Sequence, residues 1–219
     1  MKCRTHQTNH YYWGTGNREL GVDRKKDGAQ HRVEEQELQD YLLQLDEIEL
    51  EAARYFALSD EQFYWKPEPA RWSAAQIFSH LSRFNRPYFV QIKAATDQAR
   101  ERGITGRGPF RHGRYARWLA GMMEPPGNLR MKTPRVFTPA SEQPAREQTM
   151  ESFTKDQIAL RYLIENADGL HLAKVKVISP VSRLIRFSLG QCFRALIGHE
   201  KRHLLQINTL TTHPDFPQR

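Results

Sequence analysis

Between residues 32 and 58 the apolar side chains recur in steps of three, four and seven. Leu38, Leu42, Leu45, Ala52 and Phe56 carry the pattern, with Tyr41, Ile48 and Tyr55 beside them. A strand, whose faces alternate at every residue, cannot present that spacing on one side; a helix does. Such a stripe has to be covered by other helices or by a sheet, so this period limits the fold more than any other feature of the chain. The run "LSDEQFYWKPEPARW" ends it, because Pro67 and Pro69 cannot continue a helix.

The same period returns three times. Ser73 with Gln76 forms the sequence pattern of a capping box, and Ile77, Leu81 and Phe84 follow as a buried stripe, predicting a second helix to about Arg102 that takes in Pro87 and should bend there. Phe153, Leu160, Leu163 and Ile164 mark a third over Gln148 to Ala167, closed by Asp168-Gly169. Ser188 and Gln191 read as another capping box, opening a fourth helix with Leu189, Phe193, Leu196 and Leu204 among Ala195, His199 and His203, ending before His213-Pro214. Residues 103–147 are rich in Gly and Pro and predict a long loop with one short helix near Tyr115 to Met123. "HLAKVKVISP" alternates briefly, but one extended segment makes no sheet. The expected fold is all-α: an antiparallel four-helix bundle over residues 32–212, with a flexible tail over 1–31 and a short one over 213–219.

For a 219-residue chain, a hydrophobic share of 39% supports one core with polar segments left over. The net charge of +8 favours acidic partners: nucleic acid, an anionic membrane surface or a negatively charged small substrate. The cations are spread along the chain, which is also the pattern of an ordinary basic soluble protein. Cys3 lies in the polar tail and Cys192 in an apolar helical pattern, so no disulfide framework is expected and a reducing compartment is. The first twenty residues carry positive charge without an apolar run, unlike a secretory leader, and no stretch reaches the ~20 apolar residues of a membrane span. The expectation is a cytoplasmic protein with no membrane partner.

Within "ALIGHEKRHLLQ" stand His199, Glu200 and His203 in the order H-E-x-x-H. On a helix the two imidazoles lie about 6 Å apart along the axis and project the same way, able to grip one ion. A zinc peptidase of this pattern takes a third ligand downstream, either a glutamate or the histidine of H-x-x-G-x-x-H. No glutamate follows His203; Gln206 stands where the glycine belongs and Thr209 where the histidine belongs. The peptidase reading fails on both counts. A third ligand is available elsewhere: His80, at mid-height of the second helix among Ile77, Leu81 and Phe84. Three histidines leave a coordination position open, which suits catalysis more than structure. Glu200 points about 100° from His199 and reads as surface charge or as a partner of an imidazole, with a catalytic role the lesser reading. Gln206 can reach the edge of such a site, Trp72, Trp118 and Tyr88 are candidate walls, and Arg107, Arg111, Arg114 and Arg117 are candidate ligands for an acidic substrate.

The run "WSAAQIFSHL", Trp72 to Leu81, together with "LIGHEKRHLLQI" ending at Ile207, resembles the DinB superfamily over about Val33 to Leu210. "FTPASEQ" and "VISP" are similar to its members as well. The resemblance implies a four-helix bundle, often dimeric, with one metal ligand from the second helix and an H-x-x-x-H pair from the fourth: His80, His199 and His203. It implies a divalent ion, with zinc, nickel and iron all suited to three histidines, and a small-molecule substrate. Characterised members include thiol transferases and isomerases that use bacillithiol or mycothiol, so a thiol-dependent S-transferase is the leading expectation. Besides a bundle that binds a metal only for stability, two alternatives stay open. One is a hydrolase working through activated water. The other is a non-catalytic basic bundle binding nucleic acid, since "RGPFRHGRYARW" interleaves basic and aromatic residues.

Overall fold

The computed structural model describes residues 33–125, 134–139 and 143–218; the tail expected over 1–31, with Cys3, His6, His10 and His31, lies outside the described residues. Four long helices make the body: α1 (Gln36–Phe56), α3 (Ala74–Glu101), α5 (Arg146–Glu165) and α6 (Leu189–Thr211). Between them come two short helices, α2 (Asp60–Tyr64) and α4 (Arg114–Gly121), a 3-10 turn at Arg135–Phe137, and two strands, β1 (Lys176–Ile178) and β2 (Arg186–Ser188). Packing runs round a ring: α1 against α5 and α6, and α3 against the same two. The all-α bundle expected from the sequence is the architecture found.

The stripes fall close to their predicted phase. On α1 the buried line is Leu38, Tyr41, Leu45, Ile48, Ala52 and Tyr55, while Leu42 and Phe56 sit at its margin, partly covered. The Ser73 box forms with both halves in place, and α3 runs on through Pro87 to Glu101. Gly169, at φ 78°, takes the left-handed conformation expected after the third long helix. Beside it the Asp168 carboxylate accepts the backbone N–H groups of Glu34 and Glu35, each at 3.2 Å, which ties the start of α1 to the end of α5.

Three expectations are corrected. A second capping box, Ser59 with Gln62, opens α2, although the segment after α1 was expected to carry only a break. The extended segment near Val177 does find a partner: β1 pairs antiparallel with β2, Val177 opposite Phe187, because the residues leading into α6 extend before they coil. Ser188 is the N-cap of α6 but makes no capping bond. Of the first helical N–H groups, Leu189 donates to Val175 O and Gly190, one of those an N-cap can serve, donates to Leu172 O. Its hydroxyl instead bonds His112 Nδ1 at 2.8 Å, and His112 Nε2 reaches Glu37 at 3.0 Å. Gly190 makes room for this cluster, since a Cβ there would collide with the Glu37 carboxylate and stand 2.8 Å from His112 Cε1.

The segment expected as a C-terminal tail is docked. Phe216 packs against Trp65 with ring centroids 5.4 Å apart, and the Gln62 side chain donates to Pro217 O at 2.8 Å. No described helix is long and apolar enough to cross a membrane.

Candidate metal centre

Where α3 packs against α6, His80, His199 and His203 come together with their ligand nitrogens all within 4.8 Å of one another. All three are buried, at 2%, 6% and 8% exposure. His199 Nε2 lies 3.3 Å from His80 Nε2 and 3.0 Å from His203 Nε2. Two imidazole nitrogens bound ~2.1 Å from one ion, about 90–105° apart, would themselves be separated by about 3.0–3.3 Å. Both separations fit one small divalent ion, and the His80–His203 pair lies within the same 4.8 Å.

The outer nitrogens decide which way the lone pairs face. His80 Nδ1 lies 2.6 Å from the Phe137 carbonyl, and His203 Nδ1 lies 2.9 Å from Gln206 Oε1. Both oxygens only accept, so each Nδ1 carries the proton and each Nε2 presents a bare lone pair inward. His199 Nε2 faces both and can supply at most one proton. More lone pairs than protons meet at this point, and a cation is what such a donor set accommodates. His199 departs from the usual pattern of a ligating imidazole: its Nδ1 is buried and finds no hydrogen-bond partner, and its ring lies against Phe84 at 4.0 Å between centroids.

Burial holds all three imidazoles neutral. Desolvation lowers His80, and lowers His199 well below the ordinary value with His203 and His80 adding to it. It pushes His203 down to about 3, with the neighbouring His80 contributing. Neutral imidazole is the ligating form, so no proton has to be displaced near neutral pH.

Glu200 corrects the sequence reading. It is neither on the surface nor bonded to an imidazole: it is fully buried, its Oε1 accepting from Asn85 Nδ2 of α3 at 2.5 Å and from Gln157 Nε2 of α5 at 2.9 Å. Burial raises its carboxyl to about 8, against the opposing pull of those two amides. The residue links three helices behind the histidines. Around it Asn85 Oδ1, Gln157 Oε1 and Glu200 Oε2 itself are buried without a hydrogen bond. Asn85 and Gln157 were not singled out from the sequence, although each is a polar residue within an apolar helical stripe.

The other candidates separate. Trp72 stands over the site, its ring centroid 4.9 Å from His80 and 6.3 Å from His203. Tyr88 is one ring further back, behind Phe84. Trp118 is no wall: it is 60% exposed and stacks on Tyr115. Arg107 is engaged by Glu34 and Asp168, and Arg111, Arg114 and Arg117 are exposed without a hydrogen bond to any of the three histidines. The Phe137 carbonyl was missed because a main-chain acceptor leaves no mark in a sequence. Cys192 is fully buried and its thiol is held protonated by desolvation.

A family model described as the DinB superfamily matches residues 33–207. Comparison with curated proteins and with solved structures returns no match.

Proposed function

The chain belongs to the DinB superfamily, and from that premise we propose that it is a divalent-metal-dependent enzyme, a thiol-dependent S-transferase whose ion is held by His80, His199 and His203. The observation that carries the reading is the inward convergence of three neutral imidazoles, two of them oriented by Phe137 O and Gln206. A divalent ion held by neutral ligands keeps its charge, and the chemistry it supplies is to ionise a bound thiol near neutral pH.

The surroundings support a thiol from outside the chain over the alternatives. Cys192 is sealed in the core, so it offers no nucleophile at the site. No described carboxylate joins the histidine cluster, and Glu200 is occupied by two amides. Such a site lacks the general base that hydrolysis by activated water ordinarily uses, whereas a small thiol brings its own nucleophilic sulfur. Trp72, packed on two of the histidines, provides an apolar surface for the body of a substrate. The reading places the protein in the cytoplasm, in keeping with a free buried Cys192, and as the homodimer the family likeness implies.

Elemental analysis of untagged protein beside His80→Ala tests it, with zinc, nickel and iron each offered. The expected result is one ion per chain in the parent and little in the variant, followed by transfer of bacillithiol- or mycothiol-like thiols to an electrophile by the loaded parent alone. A parent that takes up none of the three metals would refute the reading, and equal uptake by the variant would remove His80 from it.

A further inference from the structure

Two stretches of the chain contain no acidic residue at all, 102–123 and 169–199, and the fold lays one beside the other. Thr105 bridges Leu170, His171 N–H donates to Ile104 O, the Phe110 and His171 rings lie 4.9 Å apart, and His112 bonds Ser188. Beyond that seam α4 packs against β2. The result is a face that carries cations from both stretches and no acid from either. Arg107 and Arg194 are neutralised by acids from outside the two stretches, Glu34 and Asp168 for the first and Glu124 for the second. Arg111, Arg114 and Arg117 from one stretch and Lys174, Arg183 and Arg186 from the other are exposed and make no ion pair among the described residues.

The two stretches joined at this seam also expose apolar side chains where water would ordinarily be met by polar ones. Leu184, in the connection between β1 and β2, is 90% exposed, more than any other large apolar side chain described. Val181 shares that connection, Ile178 ends β1, and on α4 Tyr115 and Trp118 stand out from the surface. We infer that this face adsorbs to an anionic lipid bilayer, the guanidinium groups meeting phosphate headgroups while Leu184, Trp118 and Tyr115 enter the interfacial layer. Charge complementarity favours a polyanion, and the apolar groups choose between polyanions. A fully exposed leucine gains nothing from a stacked base but gains from transfer out of water. Tyr115 and Trp118 are already stacked on each other, with centroids 6.0 Å apart and planes at 29°, so that face of each ring is not open to a base. The contact lies on the bilayer surface and requires no spanning segment.

Sedimentation of the full-length protein with phosphatidylcholine vesicles, with and without phosphatidylglycerol, tests the inference. Binding is expected only to the anionic vesicles, weakening as salt is raised. Each interfacial cation is worth about a five-fold change in partitioning, so Arg114→Glu with Arg117→Glu should weaken binding at least ~25-fold. Leu184→Ser, which removes a side chain already in solvent and leaves the fold intact, should weaken it by roughly tenfold. Retention of metal and of the parent melting temperature confirms that both variants are folded; should the arginine pair fail to fold, Leu184→Ser carries the test. Absence of binding to anionic vesicles would overturn the inference, as would binding unchanged by Leu184→Ser. So would tighter, salt-sensitive binding to a single-stranded oligonucleotide that Leu184→Ser leaves intact, which would assign the face to nucleic acid.

Discussion

Replacing Glu200 by alanine and by glutamine separates what its shape contributes from what its charge contributes. Alanine deletes the oxygen that accepts from Asn85 and Gln157 and leaves two buried amide donors unpaired. At about 1–3 kcal/mol for each stranded donor, with a cavity left where the side chain was, the loss should come to roughly 3–5 kcal/mol. For a chain of this size that is a fall in Tm of about 10 °C or more. Glutamine keeps an oxygen for the two amides and places N–H groups among oxygens that lack a donor, so its Tm near neutral pH should match or exceed the parent's.

The pH dependence carries the sign. The folded carboxyl is raised to about 8 from its ordinary value of 4.5, so between those values the folded state holds a proton that the unfolded state has released. Stability from this group is complete below the unfolded value and is lost as the pH climbs through the folded one. Between pH 6.5 and 8 the parent should lose about 1.5–2 kcal/mol from this source, and Glu200→Gln should not. Urea titrations of metal-free protein at both pH values provide the assay. Equal stabilities for the alanine and glutamine variants, or the same pH dependence in parent and glutamine variant, would refute the assignment of Glu200 as a buried neutral hub.

Three further outcomes are expected. Chelation of a metal-loaded sample should lower its stability by about 4 kcal/mol where the ion had been present at a thousand times its Kd, read as a metal-dependent melting temperature that His80→Ala no longer shows. Gln206→Ala removes the acceptor that orients His203 and should weaken metal affinity by about 10–100-fold while leaving one ion bound at saturation, measured by competition with a chromophoric chelator. Gly190→Ala forces a methyl group into Glu37 and His112 and should destabilise the fold by about 1–3 kcal/mol in urea, leaving the metal stoichiometry unchanged.

The parts of this protein visible in its sequence are those written in helical period and local capping. The apolar stripes located all four long helices, and the Ser73 box fixed the start of α3 to the residue. His80, His199 and His203 were legible because each is a polar residue inside an apolar pattern, and the fold brings those three side chains together. Glu200 was misplaced for a definite reason. A helical wheel separates it from His199, but α6 is buried around most of its circumference, so turning away from one neighbour means turning toward another helix. The Ser188 box had the right residues and lost to tertiary contacts, with Leu172 O accepting from Gly190 and His112 claiming the hydroxyl. The β1–β2 pair was hidden because three residues of strand before a helix look like the start of that helix. Trp118 is a candidate wall on sequence because large aromatic residues are usually covered, and only the path of the central excursion shows that this one is not.

The contact between His80 and the Phe137 carbonyl has a consequence for how this protein can change over generations. The acceptor is main chain, so the identity of residue 137 does not enter the hydrogen bond itself. It enters through position: the Phe137 ring is buried against Phe84, 5.1 Å between centroids, and that packing holds the carbonyl at His80. A small or polar residue at 137 would therefore loosen the orientation of His80 without altering any of the three histidines.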